Sequence, residues 1–255
     1  MQVSSIGKHH RRLREVRHAL RAGELTPDGW LPVEGPHLLE EAVRSGLEVS
    51  EAFVRDGQEP PAGVQRVYTV GVKVFANLAP TRHSQGVIAL VRIPTHTLAE
   101  VISRAGRIAV LCGLQDPGNV GTILRLADAF GCAGCISVAP TVNFYNDKVV
   151  RASAGSLFRL PHVRLPGINL IREPLKQASV GIIGTAPDAV KSIRDQDWTR
   201  PTAILLGNEG HGLGRPERQV CDTVLRIPCP GPAESLNTAS AAAIVLYEAA
   251  RTSAG

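Results

Sequence analysis

The sequence contains few aromatic residues and no long apolar run. Trp, Tyr and Phe make up 4% of its 255 residues, which argues against a surface that holds single-stranded nucleic acid mainly by base stacking. Its beginning, MQVSSIGKHHRRLREVR, lacks the apolar core of a signal peptide. No stretch approaches the roughly 18 apolar residues that a membrane span needs. We therefore expect a cytoplasmic protein with no membrane partner.

Signatures of disulfide frameworks, zinc fingers and common nucleotide sites are also missing. The cysteines number five, and an odd count with no leader favours reduced thiols. Cys132 and Cys135 form a C-x-x-C pair, but the spacing of Cys221 and Cys229 is too long for a zinc finger, so we predict no metal site. Neither G-x-G-x-x-G nor G-x-x-x-x-G-K-[ST] occurs, which argues against a metabolic enzyme built on those nucleotide sites.

The composition that is present is typical of a globular protein. Hydrophobic residues make up 44% and charged residues 20%, and the length corresponds to about 1.7 domains of roughly 150 residues. The net charge of +5 permits a polyanionic partner without requiring one. Apolar residues at helical spacing predict a first helix over 9–22. Its other face is basic, which indicates either a solvated surface or phosphate contacts by Arg14, Arg17 and Arg21.

The first half of the chain predicts a small α/β domain over residues 1–95. We expect a strand ending near Val33, a helix from Pro36 to Gly46, strands over 50–55, 64–70 and 86–93, and a helix over 72–78. A linker with a little helical character follows over 96–106.

The second half, 107–255, alternates apolar strands with helices. We predict strands over 108–114, 135–139, 180–185, 203–206 and 223–227, with helices notably over 120–130 and 238–251. Such alternation is typical of a parallel sheet covered by helices on both faces. Ligands of these sheets bind beyond the carboxyl ends of the strands, so the loops after Leu114, Thr185, Leu206 and Ile227 are the candidate site.

Three loops of this half have the composition of ligand sites. The first, GLQDPGNVGTILR, opens a helix and carries Asn119 and Arg125, which could equally be a helix cap and a surface charge. The second, LLGNEGHGLG, places glycines around Glu209 and could equally be a turn-rich connector. The third, IPCPGPAESLN, leads into a helix that Ser235 or Asn237 is expected to cap.

Together and in this order, these loops resemble the motifs of the SpoU (TrmH-type) branch of the SPOUT RNA methyltransferases. The family pattern Asn-x-Gly-x-x-x-Arg corresponds to residues 119–125, and Gly-x-Glu-x-x-Gly corresponds to 207–212. A proline-bearing strand end followed by Ser-Leu-Asn corresponds to Ile227-Pro228 and residues 235–237. Residues 151–155, RASAG, look like the segment that lies between these motifs in the family.

The first half resembles the small domain, similar to ribosomal protein L30e, that many rRNA-directed members carry. LPVEGPHLLEEAV and SQGVIALV carry this likeness, although Pro32 departs from the usual pattern. The resemblance implies an α/β protein with an L30e-like RNA-binding domain and a parallel-sheet domain that contains a trefoil knot. It also implies a homodimer, with the site completed near the partner chain.

The resemblance further implies an enzyme that uses S-adenosylmethionine to 2′-O-methylate a ribose, most often in 23S-type rRNA. The residues expected to hold the cofactor are Thr185, Gly207, Asn208, Gly212, Ile227, Pro228 and Leu236. We expect Arg125 to position the 2′-hydroxyl and a phosphate, because arginine normally keeps its proton. Proton loss would be assisted by the RNA phosphate or Glu209.

The other site residues are expected to orient these groups. Asn119 would orient Arg125 or the ribose, whereas Ser235 and Asn237 would hydrogen-bond the ribose, the cofactor or the Glu209 carboxylate. Arg151, like the basic face of the first helix, would contact RNA. Two alternatives stay open at this point: a tRNA 2′-O-methyltransferase, and a non-catalytic RNA-binding or ribosome-assembly protein on the same fold.

Overall fold

The computed structural model of the chain describes residues 2–79, 81, 83–232 and 235–251. In chain order its elements are β1 (Gln2–Ile6), α1 (Arg11–Ala22), β2 (Leu31–Glu34), α2 (Pro36–Arg44), β3 (Val49–Arg55), β4 (Arg66–Val70), α3 (Val72–Leu78), β5 (Val87–Val91), α4 (Leu98–Ser103), β6 (Arg107–Cys112), α5 (Pro117–Ala129), β7 (Gly134–Val138), α6 (Asp147–Ala152), α7 (Ser156–Arg159), β8 (His162–Leu165), α8 (Asn169–Gln177), β9 (Gly181–Thr185), β10 (Lys191–Ser192), β11 (Thr202–Leu206), α9 (Arg215–Val220), β12 (Thr223–Arg226) and α10 (Thr238–Arg251). None of the helices in these ranges is long and apolar enough to cross a bilayer.

The chain divides into two compact units. The first comprises the residues up to Pro94 together with Asn143–Phe158, and the second comprises Thr95–Val142 and the chain from Arg159 onwards. The sequence pattern places residues 143–158 in the second domain instead. In the structure α6 packs against β2, and Gly155, at a φ of 88°, lies so close to α2 that a Cβ would come within 2.8 Å of the Cβ of Glu41. Local periodicity cannot show that residues 143–158 pack with the first unit. The domain boundaries at 95 and 107 stay predictions.

The first unit is built on a five-stranded sheet in the order β1-β4-β3-β5-β2. Strands β1, β4 and β3 are parallel, while β5 runs antiparallel to β3 and β2. One apolar stripe of α1 packs with α3 against this sheet, through a core that includes Leu13, Val16, Phe53 and Phe75. Helix α1 begins two residues later than predicted and ends at Gly23, whose φ of 67° allows its amide to bond the Ala19 carbonyl.

The second unit is built on a seven-stranded parallel sheet in the order β10-β12-β9-β11-β6-β7-β8. This confirms the predicted parallel α/β architecture. Strands β6, β7, β9, β11 and β12 fall close to their predicted positions, and α3 and α10 have the predicted bounds. Strands β1, β8 and β10 were not predicted. Helices α6 to α9 lie in gaps between the predicted strands, where helices were expected without stated bounds. The linker holds α4, whose start is a capping box of Thr97 and Glu100.

Helix α5 begins earlier than the sequence pattern predicts, which corrects one interpretation of Asn119. The cap is Asp116, whose Oδ1 accepts a 2.7 Å hydrogen bond from the Gly118 amide, and Pro117 occupies the first turn. Proline suits that position because its missing N–H would have no helical partner there. Asn119 is therefore a buried residue inside the first turn, free to use its side chain elsewhere.

Candidate active site

A cavity of about 440 Å³ lies beyond the carboxyl ends of β9, β11 and β12. This volume is typical of small-molecule sites. Its walls come from three of the four loops expected to form the site, those after Thr185, Leu206 and Ile227, whereas the loop after Leu114 supplies no lining residue. Of the seven residues predicted to hold a cofactor, the cavity is lined by six: Thr185, Gly207, Asn208, Gly212, Ile227 and Leu236. Pro228 is not among the described residues that line it. Glu209, His211 and Ser235 also face this cavity.

Asn208 fixes the glycine-rich loop after β11. Its backbone pairs with Gly212 in both directions, at 3.0 and 2.9 Å. Its side-chain Oδ1 accepts from the amides of Gly210 and His211, and its Nδ2 donates a 2.7 Å hydrogen bond to the Gly113 carbonyl. One side chain therefore shapes the loop after β11 and joins it to the loop after β6.

Glu209 makes the second connection between these two loops. Its carboxylate accepts hydrogen bonds from the backbone amides of Gln115 at 3.2 Å and Asp116 at 3.1 Å, just ahead of α5. Its Oε1 also accepts a 3.1 Å hydrogen bond from Nδ2 of Asn119. An anion suits this position because the amides at the start of a helix have no helical acceptor and carry partial positive charge.

Asn237 extends this hydrogen-bonded chain to the last helix. Its Oδ1 accepts from the amides of Ala239 and Ser240, which confirms Asn237 as the cap of α10. Its Nδ2 donates a 3.2 Å hydrogen bond to Oδ1 of Asn119. Asn237, Asn119 and Glu209 thus form one chain of side chains, and the direction of each hydrogen bond is fixed by the carboxylate at its end.

The same hydrogen bonds determine the ionisation of Glu209. Burial raises the pKa of its carboxyl, but hydrogen bonds from backbone amides and from Asn119 outweigh that effect and hold the pKa below its ordinary value. A carboxylate whose two oxygens already accept several hydrogen bonds is a weak proton acceptor. The geometry therefore favours Glu209 as an anchor of the loops over Glu209 as the base.

Arg125 stands apart from this chain. It follows Asn119 by six positions in α5, which separates the two residues by about 9 Å along the helix axis and about 120° around it. Its side chain is exposed and, among the described residues, makes no hydrogen bond or ion pair. The structure brings together Asn119, Glu209 and Asn237 but leaves Arg125 free at the surface of the same helix.

The four arginines predicted to contact RNA lie in the first unit and differ in their surroundings. Arg14 and Arg21 are exposed on α1, and Arg17 is half-buried there. Arg151 is ion-paired with Asp147 one turn earlier in α6. Its charge is therefore already partly compensated, whereas Arg14, Arg17 and Arg21 on α1 form no ion pair with any described residue.

One ion pair on the cavity wall was not predicted from the sequence. The guanidinium of Arg218 binds both carboxylate oxygens of Asp188, at 2.8 and 3.1 Å, and its Nε donates to the Leu213 carbonyl. This bidentate contact joins the loop after β9 to α9 and lowers the pKa of Asp188. No sequence pattern relates residues 30 positions apart, so only the fold reveals the pair.

The C-x-x-C pair does not line this cavity and is unsuited to metal binding, whereas Cys229 lines the cavity. Cys132 and Cys135 are buried, and burial raises the pKa of the Cys132 thiol to about 12 and that of Cys135 well above its ordinary value. Thiols that keep their protons are poor metal ligands. Over the described ranges no group of three or more His, Cys, Asp or Glu residues could hold a metal ion.

Comparison with known proteins shows the family to which the chain belongs. The model of the SpoU rRNA Methylase family matches residues 106–247. The chain is 33% identical over 227 residues to the 23S rRNA (guanosine(2553)-2′-O)-methyltransferase RlmP of Bacillus subtilis, covering 88% of this chain and 90% of that protein. It is 36% identical over 239 residues to an uncharacterized tRNA/rRNA methyltransferase of Synechocystis, covering 88% and 84%.

Solved structures of methyltransferases share the fold over almost the whole chain. AviRb, the SpoU methyltransferase of Streptomyces viridochromogenes in complex with AdoMet, superposes with a TM-score of 0.86 at 30% identity, covering 96% of this chain and 98% of that one. The AdoMet-bound rRNA methyltransferase of Sinorhizobium meliloti superposes with a TM-score of 0.84 at 26% identity, covering 99% of this chain and 99% of that one. SpoU methyltransferases are enzymes that use S-adenosylmethionine. The family match and these relatives show that the chain belongs to the SpoU rRNA methylase family, which confirms the resemblance found in its motifs.

Gly207→Ala should dismantle the loop after β11. A Cβ at this position would come within 2.2 Å of the Gly212 carbonyl carbon and 2.5 Å of the Leu213 nitrogen, so the Asn208–Gly212 pairing must open. We expect a loss of about 1–3 kcal/mol in the free energy of unfolding, measured by urea denaturation, and weaker S-adenosylmethionine binding by calorimetry. Gly210→Ala is the control, since its Cβ meets only Asn208 Oδ1 at 3.6 Å. Equal behaviour of the two variants would contradict the loop geometry.

Asn119→Asp should replace a hydrogen bond to Glu209 by a repulsion between two carboxylates. At pH 7 we expect the free energy of unfolding to fall by about 1–3 kcal/mol. The repulsion raises the carboxyl pKa values of the pair, so the deficit should shrink as the pH falls towards about 4, where one of them gains a proton. Asn169→Asp, at the exposed start of α8, is the matched control. A deficit independent of pH would contradict this account.

Proposed function

We propose that this protein transfers a methyl group from S-adenosylmethionine to a ribose 2′-hydroxyl of 23S-type rRNA. The main supporting observation is the cavity at the carboxyl ends of β9, β11 and β12. Glu209 lines this cavity and is joined by hydrogen bonds to Asn119 and, through it, to Asn237. The Bacillus subtilis relative is named for this reaction on 23S rRNA. The Synechocystis relative is named for tRNA or rRNA, so tRNA is the alternative substrate. Intact side-chain contacts at the site argue against a non-catalytic RNA-binding protein.

The cavity suits S-adenosylmethionine in its size and its chemistry. Leu225, Ile227 and Leu236 supply apolar walls, while the loop of 207–212 supplies backbone polar groups. We propose that these residues, with Thr185 and Pro228, hold the cofactor. When bound, it supplies an electrophilic methyl group.

Arg125 is proposed to place the RNA. An arginine guanidinium has N–H donors and no acceptor, so the proposed role of Arg125 is to bind a phosphate and donate to the ribose rather than to remove a proton. Fixing the 2′-hydroxyl in line with a bound methyl donor supplies several kcal/mol of the barrier reduction. Ser235, on the cavity wall, is proposed to hydrogen-bond the ribose or the cofactor. The proton then passes to an RNA phosphate, because Glu209 is already occupied by its hydrogen bonds.

The first unit is proposed to be the RNA-binding domain. An L30e-like domain over 1–95 and a methyltransferase domain over 107–255 that contains a trefoil knot stay predictions from the family resemblance. Arg14, Arg17 and Arg21 form no ion pair within the described part of the chain, which supports an RNA contact on α1. Arg151 is a weaker candidate, because Asp147 already pairs with it.

Methyl transfer is tested with tritium-labelled S-adenosylmethionine on 23S rRNA, large ribosomal subunits and tRNA, followed by mapping of the 2′-O-methylated nucleotide. Arg125→Ala should lower the rate by at least about 100-fold and leave cofactor binding, measured by calorimetry, unchanged. Arg194→Ala, an exposed arginine elsewhere in the same unit, is the control. If the native protein does not bind S-adenosylmethionine, the proposed function is wrong. If the Arg125→Ala variant keeps full activity, only the proposed role of Arg125 in placing the RNA is wrong.

We also propose that the active form is a homodimer in which a second copy covers α10. Ile244 and Tyr247 lie one turn apart on this helix and are 39% and 59% exposed. Leu236, which lines the cavity, is 37% exposed. Apolar side chains exposed together on one helix favour an intersubunit contact, and a partner seated there would complete the site beside the cavity.

Tyr247→Glu should therefore convert a dimer into a monomer, because it places a charge in an apolar interface. Light scattering coupled to size-exclusion chromatography measures the mass. Val43→Glu is the control, since Val43 is 55% exposed on α2 in the first unit. A native protein that is monomeric at micromolar concentration, or a Tyr247→Glu variant that stays dimeric, would contradict the interface.

A further inference from the structure

A second cavity, of about 340 Å³, lies in the first unit between α1 and α3. Four of its lining residues are cationic: Lys8, Arg17, Arg21 and Lys73. The others that the structure describes there are Val74 and Asn77, so the described lining contains no acidic side chain. The charged side chains that line this cavity are therefore all positive.

The arginines of α1 fall into two groups. Arg11 is bound to Glu15 at 2.6 Å, and Arg12 is bound to Glu51 and Asp28 at 2.7 and 2.9 Å. Arg17 and Arg21, one turn apart on the side that faces the cavity, form no ion pair with any described residue. Acidic side chains therefore compensate the arginines at the beginning of α1, whereas the arginine charges in its second half have no acidic partner among the described residues.

The two helices that carry these charges are fixed against each other by the core of the first unit. The buried side chains of Leu13 and Val16 anchor α1, and Phe75 and Leu78 anchor α3, in one apolar core. The Nε of Arg17 is shielded from solvent and has no hydrogen-bond partner among the described residues. A shielded donor without a partner and four cations around one cavity both raise the free energy of the ligand-free state. A bound anion relieves both.

We propose that this cavity is a binding site for one phosphodiester group of the RNA backbone, outside the methyl-transfer site. The substrate class rests on the proposed function. Arginine guanidinium groups match the oxygens of a phosphate in a fork geometry, and lysines add point charges. Backbone contacts fix the register of a nucleic acid and add affinity without reading its sequence. The site should therefore affect how tightly RNA binds and leave the chemical step unchanged.

The test removes two charges inside the cavity and two outside it. The double variant Arg17→Gln with Arg21→Gln is compared with Arg11→Gln with Arg44→Gln, which removes two exposed arginines of the same unit that are already paired with Glu15 and Glu41. Binding of a fluorescently labelled rRNA fragment is followed by anisotropy over a range of salt concentrations. We expect about tenfold weaker binding by the cavity variant and a salt slope lower by about 1 for each phosphate that the variant no longer neutralises. The control should stay within about twofold of the native protein.

Two results would contradict this assignment. Equal affinities and salt slopes of the two double variants would overturn the proposal. Stabilisation by inorganic phosphate that the cavity variant loses, without a change in RNA affinity, would show a free-anion site and overturn the RNA assignment. If the double variant fails to fold by its thermal transition, Lys73→Gln, at an exposed position of α3, takes its place with an expected slope change of about 1.

The proposed function fails separately from this site. In methyl-transfer assays the cavity variant should raise KM for RNA and keep kcat and calorimetric S-adenosylmethionine binding. A native protein that binds RNA through the cavity but transfers no methyl group would refute the proposed function and leave the site standing. A cavity variant that lowers kcat at saturating RNA would overturn the separation of the two sites.

Discussion

The candidate active site depends on the carboxylate of Glu209. It accepts hydrogen bonds from the amides of Gln115 and Asp116 and from the side chain of Asn119, and through Asn119 it reaches Asn237. Three segments that are distant in sequence, the start of α5, the loop after β11 and the start of α10, meet at this one group. The walls that these loops contribute keep their positions because the carboxylate stays ionised.

The sheet makes that meeting possible. Strand β11 pairs with β6 on one side and with β9 on the other, all in parallel, so the loops that leave their carboxyl ends emerge at one edge. The loop after β11 then turns back on itself because Gly207 has no Cβ to collide with Gly212. A central strand therefore delivers the acidic anchor to the place where two helices begin, where amides without helical partners favour negative charge.

Much of this could be read from the sequence, because some features are local. Apolar periodicity located α3 and α10 at their observed bounds, and continuous apolar strands separated by helices predicted the parallel sheet. The composition of three loops indicated Asn119, Glu209 and Asn237 before any contact between them was known. Each of these signals lies within a single stretch of chain, where residue type and spacing carry the information.

The features that escaped the sequence depend on contacts between distant residues. The assignment of residues 143–158 to the first unit rests on packing of α6 against β2, and the Asp188–Arg218 pair joins positions 30 apart. The start of α5 was misplaced for a different reason. Asp116 followed by Pro117 is a typical helix start in the sequence, but Asn119 was taken as the cap instead. The motif also suggested that Asn119 and Arg125 act together, whereas helical geometry turns them to different faces.

The oxygen and the nitrogen of the Asn237 side-chain amide have different roles, and together they link the formation of α10 to the formation of the site. Its oxygen starts α10 and its nitrogen completes the chain to Asn119 and Glu209, so the same side chain serves both the helix and the site. Helix α10 is synthesised after every other described element of its unit. A growing chain consequently cannot complete the hydrogen-bonded chain of Glu209, Asn119 and Asn237 until the start of α10 is in place.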